Sequence, residues 1–451
     1  MCDISRSGLP NIRWGFSAIL SALLVTAPSN ASAEQIPLGN SGSYIDLGTV
    51  RKLTPAFEPL GGSLQLSVNP TTQEALLAWN YSINSPPKHR VTLQRIDVIG
   101  KPIGGSHYLT LTPPSRPDFS YTEFHPILSF NEATGQFLLT TNGTAVLNSE
   151  HVGPVGRLIS PSGGVTSPFP IGGVKGVYHL AQNSKDGSFL SLAYEEGKGI
   201  FGSVSSSTGV MQATSPRLDG LPGDAGLVAV DYSRKSNNYF ALMQRHTSSF
   251  MAIEGLLLDH LGQPTSEIFT IVPPYSGAIH YPIVTKYDPQ LDRFLVAYAA
   301  GTEVRGQFVS SSGVLLGDSL LLTTLPASNS PPEIELLFDQ DINRYVLATK
   351  PSGVDEIRIQ VLNHNGLAIG HSVPITRPYN TITEYEIGLF GNGMIYAAWI
   401  GEERFVSIKY VFGRTLSIVP EPATTPQLLG MIAVLGFIKR RLPMAKCPCR
   451  T

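Results

Sequence analysis

The sequence predicts an all-β fold, a seven-bladed β-propeller. Three observations carry the prediction. An apolar strand, an Asx-containing turn and a second apolar strand recur seven times between Glu34 and Ile418. The copies keep a steady phase. Each copy is followed by a third strand, a turn containing glycine and a short fourth strand. Four antiparallel strands in a unit of about 40–60 residues is the repeat of a propeller blade.

The copies run from Leu66 to Trp79, Leu128 to Thr140, His179 to Tyr194, Val228 to Met243, Thr285 to Tyr298, Leu337 to Thr349 and Gly388 to Trp399. With Asn69, Asn131, Asn183, Asp231, Asp288, Asp339 and Gly391 as phase markers, the steps are 62, 52, 48, 57, 51 and 52. Third strands such as Val91 to Val98 and Val304 to Val309 lead into Ile99-Gly100 and Ser312-Gly313. Fourth strands follow, such as His107 to Leu111 and Ser319 to Thr323. The last unit has three strands, Tyr385 to Leu389, Met394 to Trp399 and Phe405 to Phe412. The segment Ser43 to Val50 is expected to supply its fourth and close the ring. The rival architecture, two or more β-sandwiches, would break the phase at its linkers. The phase is unbroken.

The composition agrees. Gly (44) and Pro (35) are abundant and charged residues make up 15%, while 42% of the chain is hydrophobic. That is short strands with many turns, not a disordered chain. A net charge of −2 selects neither nucleic acid nor an anionic surface as partner. The three cysteines, Cys2, Cys447 and Cys449, lie at the ends. The body therefore has no disulfide, Cys-based zinc site or thiol nucleophile, and core packing must hold it.

The two ends read as addresses. Arg6 and Arg13 precede the apolar run Trp14 to Val25, and Ala31-Ser32-Ala33 follows. That is the pattern of a secretory signal peptide over residues 1–33, cleaved by signal peptidase. At the other end stand Val419-Pro420-Glu421-Pro422, an apolar run Leu428 to Ile438, and Lys439-Arg440-Arg441. This stretch, 419–441, resembles the PEP-CTERM sorting signal. The resemblance implies that the apolar segment transiently enters the inner membrane, with the basic cluster on the cytoplasmic side. It implies that an exosortase cuts at or near Pro420, Glu421 and Pro422. Residues 442–451 form a tail, and 34–418 are the domain delivered to the cell envelope, surface or extracellular matrix. By the same resemblance its partner there is extracellular polysaccharide.

No motif for nucleophilic, phosphate or metal chemistry stands in the chain. Neither a cofactor nor a metal is expected. Asp339-x-Asp341-x-Asn343 begins like a calcium loop, but Arg344 occupies the sixth position and no Glu stands at the twelfth. A hairpin turn is the reading preferred. Trp79 and Trp399 end equivalent second strands, where core packing is weighed against a stacking platform for sugar. The inter-blade loops and the second-to-third strand loops share one face of the disc. Aromatics beside carboxylates there suit a glycan. The candidate ligand face comprises Asp118, Tyr121 and His125, then His280, then Tyr379, with Glu402 from a second-to-third strand loop. The function expected is non-catalytic binding of glycan or protein. The alternative is a hydrolase or lyase acting on polysaccharide from the same face.

Overall fold

The turn between the first two strands sets the register of the blades, and it is built alike in six of them. In the computed structural model Asn69 Oδ1 accepts the N–H of Thr71 and Thr72, at 3.0 and 3.1 Å. Asn131, Asn183, Asp288 and Asp339 do the same for the residues after them. The fourth residue onward is left-handed, as at Gln73, Asp292 and Asn343 (φ 54°, 52° and 53°). An Asx side chain that caps its own turn explains these residues without a metal. In the fourth blade the equivalent residue is Ser233, whose Oγ accepts the Ser236 N–H. Ser233 pairs with Asn238 as Asp288 pairs with Arg293. Asp231 is thus two residues too early as a phase marker, and the corrected steps are 62, 52, 50, 55, 51 and 52.

The structure describes residues 34–38, 44–53, 63–84, 87–110, 126–141, 145–147, 150–152, 154–171, 179–195, 199–218, 225–246, 251–275, 279–327, 331–376, 381–402 and 409–419. The chain divides into a leading unit, Met1–Glu34, and a body, Gln35–Thr451. The signal peptide and the Pro420-Glu421-Pro422 and Lys439-Arg440-Arg441 motifs lie outside the described residues. Among the described residues no helix is long and apolar enough to cross a membrane.

The described strands form seven blades. Blade 1 is Leu64–Asn69, Glu74–Asn84, Pro87–Asp97 and Pro102–Thr110. Blade 2 is Pro126–Asn131, Gln136–Thr141, Val155–Ile159 and Phe169–Pro170, with a small ribbon, Ala145–Leu147 against Glu150–Val152, between its second and third strands. Blade 3 is His179–Gln182, Phe189–Glu195, Gly199–Ser205 and Met211–Thr214. Blade 4 is Ala225–Ser233, Asn238–His246, Met251–Leu258 and Phe269–Tyr275. Blade 5 is Ile279–Asp288, Arg293–Ala300, Glu303–Ser310 and Leu315–Thr324. Blade 6 is Glu333–Asp339, Arg344–Lys350, Arg358–Asn363 and Ala368–Pro374.

Blade 7 joins the two ends of the body. Thr381–Gly391, Met394–Glu402 and Lys409–Val419 come from the C-terminal side. The N-terminal strand Tyr44–Leu47 pairs antiparallel with Val419 to Leu416, and Arg51–Lys52 continues along Gly413 and Phe412. This is the expected closure. Glu34–Pro37 adds a further strand outside it. The third strand is described over Lys409–Val419, past the expected end at Phe412, because it spans its whole N-terminal partner; the expected start at Phe405 lies outside the described residues. Arg414, buried, donates to Gly48 O at 2.6 Å and to Ile375 O at 2.9 Å, fastening the N-terminal strand to blade 6. Gly413 leaves room for Tyr396: a Cβ there would lie 1.8 Å from the tyrosine oxygen.

A blade has two apolar faces and must bury both. The buried side chains accordingly fall into seven clusters, one between each pair of neighbours. Phe240, Phe294 and Tyr287 fill the space between blades 4 and 5. Leu347, Tyr345 and Leu295 fill that between blades 5 and 6. Trp399 belongs to the 6–7 cluster and Trp79 to the 7–1 cluster. Both tryptophans are at most 3% exposed, so they are core and offer no platform to a sugar. Full burial of one such side chain stabilises by about 1.5–3 kcal/mol.

Candidate functional site: the central channel

The first strand of each blade is an edge strand. It pairs with the second strand on one side, and its other edge faces the axis with N–H groups unspent. Carboxylates of the preceding blade occupy several of them. Asp231 Oδ2 accepts the N–H of Tyr287 at 2.7 Å, from blade 4 to blade 5. Glu335 accepts that of Ile387 at 2.8 Å, from 6 to 7. Glu384 accepts that of Leu64 at 2.6 Å, from 7 to 1. Gln65 donates to Glu386 at 2.8 Å across the same seam. Nearer the hairpin turns Asp339 and Asp341 accept the N–H groups of Gly393 and Asn392.

Four of these side chains crowd blades 6 and 7: Glu333, Glu335, Glu384 and Glu386. The Glu333 side chain is 42% exposed, whereas Glu335, Glu384 and Glu386 are largely enclosed by protein. Burial therefore makes charge costly, and the neighbouring carboxylates add repulsion. Loss of solvent pushes Glu384 up to about 7, against the hydrogen bond from Leu64. Burial raises Glu335 and Glu386 above the usual carboxylate range; the charge of Glu333 acts in the same direction on both, and those of Glu335 and Glu384 add to it at Glu386. Glu333 pairs with Lys350 at 2.5 Å. Lys286 of blade 5 holds Glu335 down in part. Its Nζ has no hydrogen-bond partner among the described residues.

The channel opens on the hairpin side into a cavity of about 430 Å³ to which all seven blades contribute. Its polar lining includes Ser129, Gln182, Asp231, Arg234, Lys286 and Asp341. Tyr232 and Tyr287 reach it but are buried, their hydroxyls donating to Asn237 and Asp292. The Arg234–Glu132 pair at its rim is loose, 3.8 Å with both partners exposed, and contributes little to stability. Among the described residues no group of three or more His, Cys, Asp or Glu is placed to hold a metal.

The residues expected at the opposite face distribute differently. Asp118, Tyr121, His125 and Tyr379 lie outside the described residues. His280 lies in the first strand of blade 5 opposite Ala299, on a strand rather than in the loop assigned to it. Tyr385, expected to start the first strand of blade 7, lies within it, and its hydroxyl donates to Ala348 O. Glu402 ends the second strand of blade 7, and its carboxylate lies 4.0 Å from Lys409. Neither His280 nor Glu402 lines the described cavity. The sequence reading missed the channel acids as a set. The signal was present: Glu333-x-Glu335 and Glu384-x-Glu386 alternate with Ile334, Leu336 and Tyr385, the period of a strand with one polar edge towards a lumen.

No protein-family model and no curated protein sequence matches the chain. Solved structures do resemble it. One is a protein of unknown function from Dyadobacter fermentans, at 12% identity and TM-score 0.49, covering 82% of this chain and 99% of that one. Another is the β-propeller domain of the Trilobed protease from Pyrococcus furiosus, at 8% identity and TM-score 0.46, covering 78% and 95%. A third is prolyl oligopeptidase B from Galerina marginata, at 11% identity and TM-score 0.43; the match covers 80% of this chain and 48% of that one, so this chain spans about half its length. The all-β, seven-bladed architecture of this chain is read from its own strand pairing.

Proposed function

We propose that this is an exported, non-catalytic binding propeller of the cell envelope or extracellular matrix, which takes a glycan at the hairpin-side mouth of its channel. The observation that carries the reading is the mouth itself. Hydrogen-bonding groups of opposite character, Asp231, Gln182 and Lys286 among them, converge on one cavity of about 430 Å³. A sugar offers many hydroxyls to such a set, and carboxylate, amide and ammonium groups discriminate among them. The leader-like N-terminus and the PEP-CTERM-like C-terminus supply the address, with signal peptidase and an exosortase as the processing partners. Calorimetric titration of residues 34–418 with a panel of oligosaccharides tests the proposal. Saturable binding that Asp231→Asn and Lys286→Met both abolish supports it. Binding untouched by both variants places the ligand elsewhere; binding of protein fragments instead of sugars changes the ligand class.

A polysaccharide-acting hydrolase or lyase is the second reading. One observation favours it: Glu384 holds its proton to about pH 7, as a general acid must. Release of reducing ends or unsaturated products from the same panel, lost in Glu384→Gln, would establish it.

A further inference from the structure

The exposed apolar side chains of this ring are not scattered. Of the twelve among the described residues, six sit on one face, at the tips of turns. Ile99, Val210, Leu261, Val314 and Leu367 are all exposed, and each lies in the turn between third and fourth strands of blades 1, 3, 4, 5 and 6. Leu291 adds the first-to-second strand turn of blade 5. All these turns lie on the hairpin side, so the aliphatic tips ring the polar mouth. Among the described residues Val354 alone represents the exposed large apolar side chains at the opposite face; Tyr108, Met211, Leu315, Leu316 and Leu321 lie on outer strands. Aliphatic tips gathered on one face suit a surface that meets an apolar partner.

The course of the chain identifies the partner. Lys409–Val419 runs from Lys409, opposite Glu402, to Ser417, opposite Met394. Met394 follows the hairpin turn at Asn392-Gly393. The chain therefore leaves the body at Val419 on the hairpin face. Eight residues, 420–427, separate it from the apolar run Leu428 to Ile438 and its basic cluster. Fully extended, eight residues reach at most about 28 Å. A bilayer that held the apolar run would thus lie directly beneath this face.

We infer that the hairpin face docks on the bilayer surface while the C-terminal segment is inserted, its aliphatic turn tips entering the interface. The inference rests on the reading of residues 428–441 as a membrane segment. Charge does not drive the contact: exposed Lys101, Lys185, Arg234 and Lys235 on this face are offset by Glu132, Asp186 and Asp341. Single aliphatic side chains on rigid turn tips supply it, by burying apolar area at the headgroup–acyl boundary. In this state the mouth faces lipid, and cutting at 420–422 uncovers it.

The test uses the full chain with Cys2, Cys447 and Cys449 replaced by Ser. A polarity-sensitive fluorophore is attached after Val210→Cys, Val314→Cys or Val354→Cys, one at a time, and the protein is floated with phosphatidylcholine vesicles. Docking predicts flotation, a blue shift at positions 210 and 314 with quenching by a headgroup-level quencher, and no change at 354. Flotation with all three labels equally aqueous overturns the docking and leaves the membrane segment intact. Absence of flotation overturns both. A blue shift at 210 and 314 before vesicles are added means that a second copy covers the face, and also overturns it.

Discussion

Replacing Glu384 by Gln should stabilise the protein above neutral pH and leave it almost unchanged at pH 5. Glu384 accepts the Leu64 N–H across the 7–1 seam, and burial lifts its pKa from the ordinary 4.5 to about 7. The raised value means that the folded state holds a proton the unfolded state has already released between pH 4.5 and about 7. Its contribution is complete below about 4.5 and is lost as pH rises through 7. At 1.36 kcal/mol per pH unit the interval sets an upper figure of about 3 kcal/mol. Water in the channel lowers this to on the order of 1–3 kcal/mol. Gln keeps an oxygen for Leu64 and never charges. Urea unfolding of both proteins at pH 5 and pH 8.5 reads the effect. The variant should match the wild type at pH 5 and exceed it by about 1–3 kcal/mol at pH 8.5. A difference between variant and wild type that is the same at both pH values would refute the reasoning, because the seam carboxylate would then not be titrating in this range.

Other perturbations separate the seam from the rest. Deleting residues 34–50 removes the fourth strand of blade 7 and should lower the thermal midpoint more than any single substitution; an unchanged midpoint would mean the ring does not need that strand. Arg414→Met strands the carbonyls of Gly48 and Ile375 and should cost about 3 kcal/mol in urea unfolding. Tyr396→Phe removes a buried hydroxyl that has no partner among the described residues, so its cost should stay within about 0.5 kcal/mol in the same assay. Asn131→Ala removes a turn cap and the bond to Gly187 O that reaches blade 3, and should cost about 1–3 kcal/mol.

The fold was legible because its information is local. An Asx residue, three turn residues and an apolar strand on either side are contiguous, so seven copies and their phase could be read directly. The slip at blade 4 is instructive. Asp231 stands two residues before the turn and reaches sideways to Tyr287, whereas Ser233 caps the turn, a role the residue type alone does not announce. A second local device went unread. Gln94, Gln307 and Gln360 each donate to carbonyls of the outer strand where it bulges, and each precedes a left-handed glycine by ten residues, at Gly104, Gly317 and Gly370. The channel acids were harder, since their meaning lies between blades. In the sequence Glu384 is one carboxylate of a strand with no visible partner. Only the ring brings it to the Leu64 N–H, 320 residues away in sequence.

The closing seam also constrains where the chain can be cut. The last backbone pairs of blade 7 are Leu47 with Leu416, Asp46 with Ser417, Ile45 with Ile418 and Tyr44 with Val419. Pro420 is the first residue beyond them. A cut within Pro420-Glu421-Pro422 leaves each of these pairs in place, and Arg414 keeps its hold on Gly48 and Ile375. A cut only four residues earlier would remove Leu416 to Val419 and strip the N-terminal strand of its described partners there. The prolines suit the boundary physically. Pro420 and Pro422 have no N–H to extend the ladder, which is the chemistry a boundary between strand and cleavage site calls for. Removal of the proposed sorting segment and survival of the ring are thus compatible by one residue. Cleavage that trimmed past Val419 should release a ring as unstable as the deletion of 34–50.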